Sequence, residues 1–335
     1  MELVNPTGWN AGWLSTTLDD EHLLGAVIVR PTFRLEGESL QAGDAPVWPI
    51  EPGGSRTGLG TFGADLPFLN GGVDVLVVGD AVPPGGVARP EMEVRLDLGG
   101  RFARRLHVLG DRHWIRAAGT LQPSAPAPFT ALPLEWGRAY GGRAAHPLGE
   151  QVFPANPGGR GFHLDEAEAE GGPLPNIEDP ERRITRWDDR PEPVGWAPYP
   201  ADGALRPLHA ARVEGEGASA RYRGVAPTFF NQAAPRMILP AAEAPQPGEI
   251  VEVIGMRADG RFRCALPDLA FHVDVALGDR RYRFPAHLDQ LLLAPTLGAL
   301  VLSYRAVFRY RMVPRERRSV TLVQAHDAPR TGAAA

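Results

Sequence analysis

Between Leu134 and Ile184 the chain reads LEWGRAYGGRAAHPLGEQVFPANPGGRGFHLDEAEAEGGPLPNIEDPERRI, a run too rich in glycine and proline for a helix or a regular strand to pass through it. Glycine supplies backbone angles with positive φ, whereas Pro157 and Pro175 fix φ and push the preceding residue toward extended geometry. Three pieces carry most of this punctuation: Arg138-Ala-Tyr140-Gly141-Gly142-Arg143, Asn156-Pro157-Gly-Gly-Arg160-Gly161-Phe162, and Leu174-Pro-Asn176-Ile-Glu178. Without periodicity, their order must come from hydrogen bonds and ion pairs among Arg138, Arg143, Asn156, Arg160, Asn176 and Glu178. Glu178 is the one carboxylate inside the three pieces, and it is expected to pair with Arg138 or Arg160. Long loops inside compact domains are usually functional or disordered. Here Trp136, Tyr140, Phe153 and Phe162 argue for order, and only the acidic piece 165–172 reads as mobile.

Composition narrows the fold around this stretch. The chain has 335 residues, 43% of them hydrophobic, enough for a substantial core. Gly 39 and Pro 34 shorten elements and multiply turns, which favours strands over helices. All 35 basic residues are arginines, which removes phosphate-loop and Schiff-base lysines from consideration. A net charge of -5 without a strongly basic face argues against nucleic acid as the main partner. Cys264 is the single cysteine, so no intrachain disulfide forms, and its strand context makes it a small core hydrophobe. The first residues lack a basic region and an apolar run, and no later segment has the length and apolarity of a membrane-spanning helix, so a cytoplasmic location is expected.

Along the chain, Leu24–Leu35 and Val73–Asp80 read as strands, with the Gly/Pro-rich segment Pro46–Asn70 between them as a surface excursion. Met92–Val108 alternates as a hairpin about Gly99-Gly100, a pair suited to a two-residue turn. Trp114–Ala117 reads as a short strand. From Gly248 to Met312 alternation and glycine turns predict an antiparallel meander in a single sheet, with one buried and one solvated face. The expected fold is therefore mainly β, with antiparallel sheets in a sandwich or barrel-like arrangement around a long ordered central loop region. The shared spacing of MEVRLDLGGR and FHVDVALGDR leaves two related β halves as one option. The segmentation is 1–133, 134–208 and 209–325, followed by a frayed tail, 326–335.

Reactive constellations are weak. RAYGGR and NPGGRGF do not link a strand to a helix, so a phosphate loop is not indicated. His146, His163, Asp165, Glu166 and His209 match no metal-ligand spacing and read as solvated side chains. No nucleophile elbow is present. No cofactor is expected. Arginines 305, 309, 311, 315, 317 and 318 read as the solvated face of a terminal strand. A second ordered loop, Phe229-Phe230-Asn231-Gln232 between prolines, offers two aromatic anchors for a partner.

The order of VIVRPTF (27–33), DVLVVG (74–79), RAYGG, NPGGRGF, LPNIE, FFNQAAP (229–235), LPD and LDQLLLAP resembles a bacterial family catalogued as domain-of-unknown-function family 2169. Arg236-Met237 departs from the pattern, which has an acidic residue and a glutamine there. The resemblance implies an accessory role in type VI secretion, as a non-enzymatic adaptor or chaperone that helps load an effector onto the spike or its tip. Its implied partners are a secreted effector and a spike or spike-tip protein, with no nucleic acid and no membrane. Two other readings stand beside it: a hydrolase or sugar-active enzyme using carboxylates between Asp165 and Asp189, and a structural part of the secretion apparatus.

Overall fold

A computed structural model describes residues 1–43, 48–200, 211–214, 221–311, 313 and 316–325, with 211–214 and 221–225 as backbone only. His209, Arg315 and the tail 326–335 lie outside the described residues. Strand accounts for 47% and helix for 8%, so the chain is mainly β. None of its helices is long and apolar enough to cross a membrane among the described residues.

The larger sheet has eleven strands. Seven of them form a nearly closed barrel in the order Leu3–Val4, Arg318–Gln324, Phe271–Leu277, Arg280–Ala294, Ala299–Arg311, His22–Arg30 and Asn10–Thr17. Alternating apolar residues fill the inside: Val273 lies opposite Phe284 and Leu322, and Val27 opposite Trp13 and Ala306. The expected first strand breaks at Pro31, which cannot donate to the ladder; Thr32–Glu36 resumes beyond it and pairs with Ala299–Val301.

Arg280–Ala294 runs well past the barrel. Its register slips between Leu288 and Gln290, a bulge of the kind that re-aims side chains. Beyond it, Gln290–Leu293 pairs in parallel with Asp74–Val77, and every residue from Asp289 to Ala294 is buried. This is why Leu291–Ala294 is apolar without alternation: both faces are covered.

A five-stranded sheet follows the order Ile177–Glu178, Phe102–Leu109, Glu91–Leu98, Ile250–Ile254 and Arg261–Ala265. It corrects two expectations. The 248–312 segment is divided between two sheets, because Leu266–Ala270 carries the chain from one to the other. The Met92–Val108 hairpin closes through three residues, since Leu98 lies opposite Phe102 and both glycines between them have positive φ.

The Pro46–Asn70 excursion is only partly a surface feature where it is described. Trp48 and Phe62 are buried and stacked 4.7 Å apart, and Asp65 is buried against Arg30. Two aromatics and one ion pair outweigh the local glycine and proline content. Cys264 lies in the core, as its alternation indicates, and burial pushes its thiol up to about 12.

Beside the principal core a satellite cluster gathers Trp114, Leu121, Tyr140, Ala169, Leu174 and Ile184, with Phe153, Phe162 and Trp187 against it. The acidic piece expected to be mobile belongs to this cluster. Glu166–Ala169 is one helical turn capped by the Asp165 side chain, with Ala169 buried and Arg116 holding Glu166 and Glu170.

Candidate functional site

The central motifs fold onto the five-stranded sheet as a platform. Tyr140–Gly141 pairs in parallel with Arg160–Gly161, and this small two-stranded sheet brings two glycine-rich loops together. Gly141 (φ 143) is needed there, because a Cβ would lie 2.2 Å from the Asn156 carbonyl oxygen. Asn156 is fully buried, and its Nδ2 donates to the carbonyls of Trp136 at 2.8 Å and Tyr140 at 3.0 Å. Pro157 beside it is buried as well.

Asn176 is the joint of the third piece. Its Oδ1 accepts from Arg138 at 3.1 Å and Arg160 at 3.2 Å, while its Nδ2 donates to the Leu109 carbonyl at 2.9 Å and Asp111 at 3.0 Å. One buried amide therefore ties both arginine loops to the end of the Phe102–Leu109 strand.

Glu178 is buried and ion-paired, but not to the expected partners. Its carboxylate holds the buried Arg112, and it accepts from Arg183 Nε at 2.7 Å and the Ile184 amide at 3.3 Å. Arg138 and Arg160 are occupied by Asn176, and they face Asp111 at 3.6 and 3.9 Å. The strand pairing of Glu178 with His107 places its carboxylate next to the chain just after Leu109, where Arg112 lies outside all three motifs. Arg143 stays out of the network and pairs with Glu150 on the surface at 2.8 Å.

His163 corrects another expectation: it is buried, 7% exposed, rather than solvated, and burial holds its pKa below the usual imidazole value. The unfolded chain binds a proton at this ring at a pH where the folded chain does not. Stability from this group is complete above about 6.5 and falls as the pH drops below it. The melting temperature of the wild type should therefore fall more between pH 7 and pH 5 than that of His163→Gln; equal falls would contradict this.

The second loop locks into a buried polar network that sequence reasoning missed. Asp74 is fully buried and accepts from Gln232 N at 2.7 Å, Asn231 Nδ2 at 2.8 Å, Ala233 N at 3.2 Å and Gln290 Nε2 at 3.2 Å. Burial pushes its pKa up, and these donors oppose the rise. Asn231 and Gln232 also bond the backbone of Gly71 at 2.8 Å and Gly63 at 3.0 Å.

Gln290 relays to Arg30, which pairs with Asp65 and lies 3.8 Å over the Trp48 ring. Asp289, at the bulge, holds Arg305 at 2.6 Å, and Arg305 donates to the Phe68 and Leu66 carbonyls. Arg305 is thus a buried structural cation and not part of a solvated row, whereas Arg309 and Arg311 are exposed and pair with Asp19 and Glu21. The available signal was an acid inside VDVLVV and an arginine inside VIVRP: charges in apolar runs are buried and must be paired.

This network presents a surface. Asn231 and Gln232 face inward, so Phe229 and Phe230 are left half-buried beside the 66–70 loop. Phe230 stacks on Phe68 at 4.4 Å with an interplanar angle of 11°, and Phe229 meets Phe230 edge-on at 5.5 Å. Leu66 and Leu69 are exposed alongside them. Two smaller hollows flank the motifs. One of about 190 Å³ lies among Arg104, Asp179, Trp196 and Arg236, and one of about 340 Å³ lies over Gly142, Arg160 and Phe162. Arg236, the departure from the resembled pattern, pairs with Asp179 at 2.8 Å.

A family model described as an uncharacterized protein conserved in bacteria (DUF2169) matches residues 20–305. No curated protein and no solved structure matches the chain.

Proposed function

Because the chain belongs to the DUF2169 family, we propose that it is a non-enzymatic accessory protein of type VI secretion, an adaptor or chaperone that binds an effector and helps load it onto the spike or its tip. The cytoplasm is where such loading would take place. The observation that carries the reading is the aromatic surface of Phe68, Phe229 and Phe230 with exposed Leu66 and Leu69, mounted on a buried polar lock. Aromatic residues, phenylalanine among them, are enriched in the buried core of protein interfaces. A lock that fixes them beforehand reduces the ordering cost of association.

The carboxylates that an enzyme reading would use are otherwise engaged. Between residues 165 and 189, Asp165 caps a helical turn, Glu168 accepts the Leu164 amide and Asp189 accepts the Thr185 and Arg186 amides. Glu166 and Glu170 pair with Arg116, Glu178 with Arg112, Asp179 with Arg236, Glu181 with Arg105 and Asp188 with Arg186. These occupied groups favour a binding role.

The test is affinity capture of the whole chain from its native lysate, with partners identified by mass spectrometry, repeated with Phe229→Ala, Phe230→Ala. The expected result is capture of a secretion effector or spike protein by the wild type, reduced at least about tenfold in the double variant. A folded double variant that captures and delivers cargo fully would overturn the anchor role.

A further inference from the structure

The seven-stranded barrel run has two unpaired ends, and they meet in a seam. On one side the eight residues Asn10–Thr17 pair only with His22–Arg30, and no strand covers their outer edge among the described residues. On the other side Leu3–Val4 covers only Val320–Thr321 of the strand Arg318–Gln324. The seam is bridged at one end by Trp9 Nε1, which donates to Gln324 Oε1 at 3.0 Å. At the opposite end the registers align Thr17, Leu23 and Tyr310 in one row and Leu277 and Arg318 in another, and Leu277 and Tyr310 line the same cavity.

That end opens into a cavity of about 600 Å³, lined by Val275, Arg280, Tyr282, Phe284, Phe308 and Tyr310. A second hollow of about 480 Å³ shares His22, Arg311 and Val313 with it and reaches Thr17, the end of the uncovered strand. The walls are aromatic: Phe284 stacks on Phe308 at 4.9 Å, Trp13 on Phe308 at 5.5 Å, and Tyr282 is 41% exposed. At the rim Arg309, Arg311 and Arg318 are paired with Asp19, Glu21 and Glu316, while Arg280 has no side-chain partner among the described residues.

We propose that the barrel mouth receives an extended segment of a partner polypeptide, which pairs along the Asn10–Thr17 edge, directs alternate apolar side chains into the aromatic cavity and sets an acidic residue against Arg280. An uncovered strand edge is completed by another strand, and strand alternation then sends every second side chain to one face. An acyl carboxylate could fill the cavity and meet Arg280, but it would leave the strand edge unpaired. The edge and the cavity together select a peptide. The inference rests on the partner-binding reading above but concerns a separate surface.

The experiment selects a phage-displayed library of random ten-residue peptides against the immobilised whole chain. Enriched peptides are expected to alternate large apolar residues and to carry an acidic residue. Hydrogen exchange with a selected peptide should slow at the amides of Asn10–Thr17. Tyr282→Asp and Arg280→Glu, both at exposed positions, should each weaken binding about tenfold. Phe229→Ala, Phe230→Ala should leave it unchanged, so that failure of the aromatic surface and failure of the mouth are told apart. No enrichment of alternating peptides, unchanged exchange along Asn10–Thr17, or undiminished binding by Tyr282→Asp would overturn the proposal. So would octanoate occupying the mouth when no peptide does.

Discussion

Asp74→Ala should destabilise the protein by about 4 kcal/mol or more, because each buried donor left unpaired costs about 1–3 kcal/mol and four lose their acceptor here. Three of the four belong to Asn231, Gln232 and Ala233, so the Phe229–Pro235 loop should loosen first. Urea unfolding would show a lower midpoint, and limited proteolysis would cut near this loop before the rest of the chain. Asp74→Asn retains one acceptor and should fall between the two. A loss below about 1 kcal/mol in the alanine variant, the ordinary net contribution of a single hydrogen bond, would mean that the loop is held by its apolar contacts.

Glu178→Ala should cost about 3–5 kcal/mol, because it strands the Arg112 guanidinium, 4% exposed, inside the protein. Arg112→Ala leaves the buried carboxylate with the half-exposed Arg183 and the Ile184 amide. The double variant should therefore lose less than the sum of the two single ones. Arg183→Ala alone should be mild, since its side chain is 37% exposed. Coupling of Glu178 to Arg138 in place of Arg112, measured by the same double-mutant cycle, would contradict the network described.

Much of the fold was legible where physical periodicity acts locally. Met92, Val94, Leu96 and Leu98 show their pairing by alternation, and the glycines at 99, 100 and 278 mark real turns. What was not legible depends on distant residues. Nothing near LDQLLLAP tells that Gln290–Leu293 lies parallel to Asp74–Val77, more than two hundred positions away. Nor does proximity among three motifs reveal that the partner of Glu178 is Arg112, supplied by a turn after another strand. The Pro46–Asn70 segment misled because Trp48, Phe62 and Asp65 are few among many turn residues, yet each is buried.

The motif residues share a lesson. Asn156, Asn176, Glu178, Asn231 and Gln232 are all buried, and their side chains satisfy backbone groups and charges that loops would otherwise leave unpaired. They build the platform. The surface proposed for a partner lies on their apolar neighbours, above all Phe68, Phe229 and Phe230.

We propose that cargo or the spike protein docks on this aromatic surface. This is tested most directly by placing a photo-crosslinking amino acid at Leu69, 49% exposed beside the aromatic cluster, and irradiating living cells that carry an active secretion system. The same substitution at Leu148, 90% exposed and remote from the cluster in sequence, serves as the control. A single dominant adduct is expected at position 69, containing an effector or spike component, and none at 148. Adducts at both positions alike, or none at 69 while the protein still supports delivery, would contradict it.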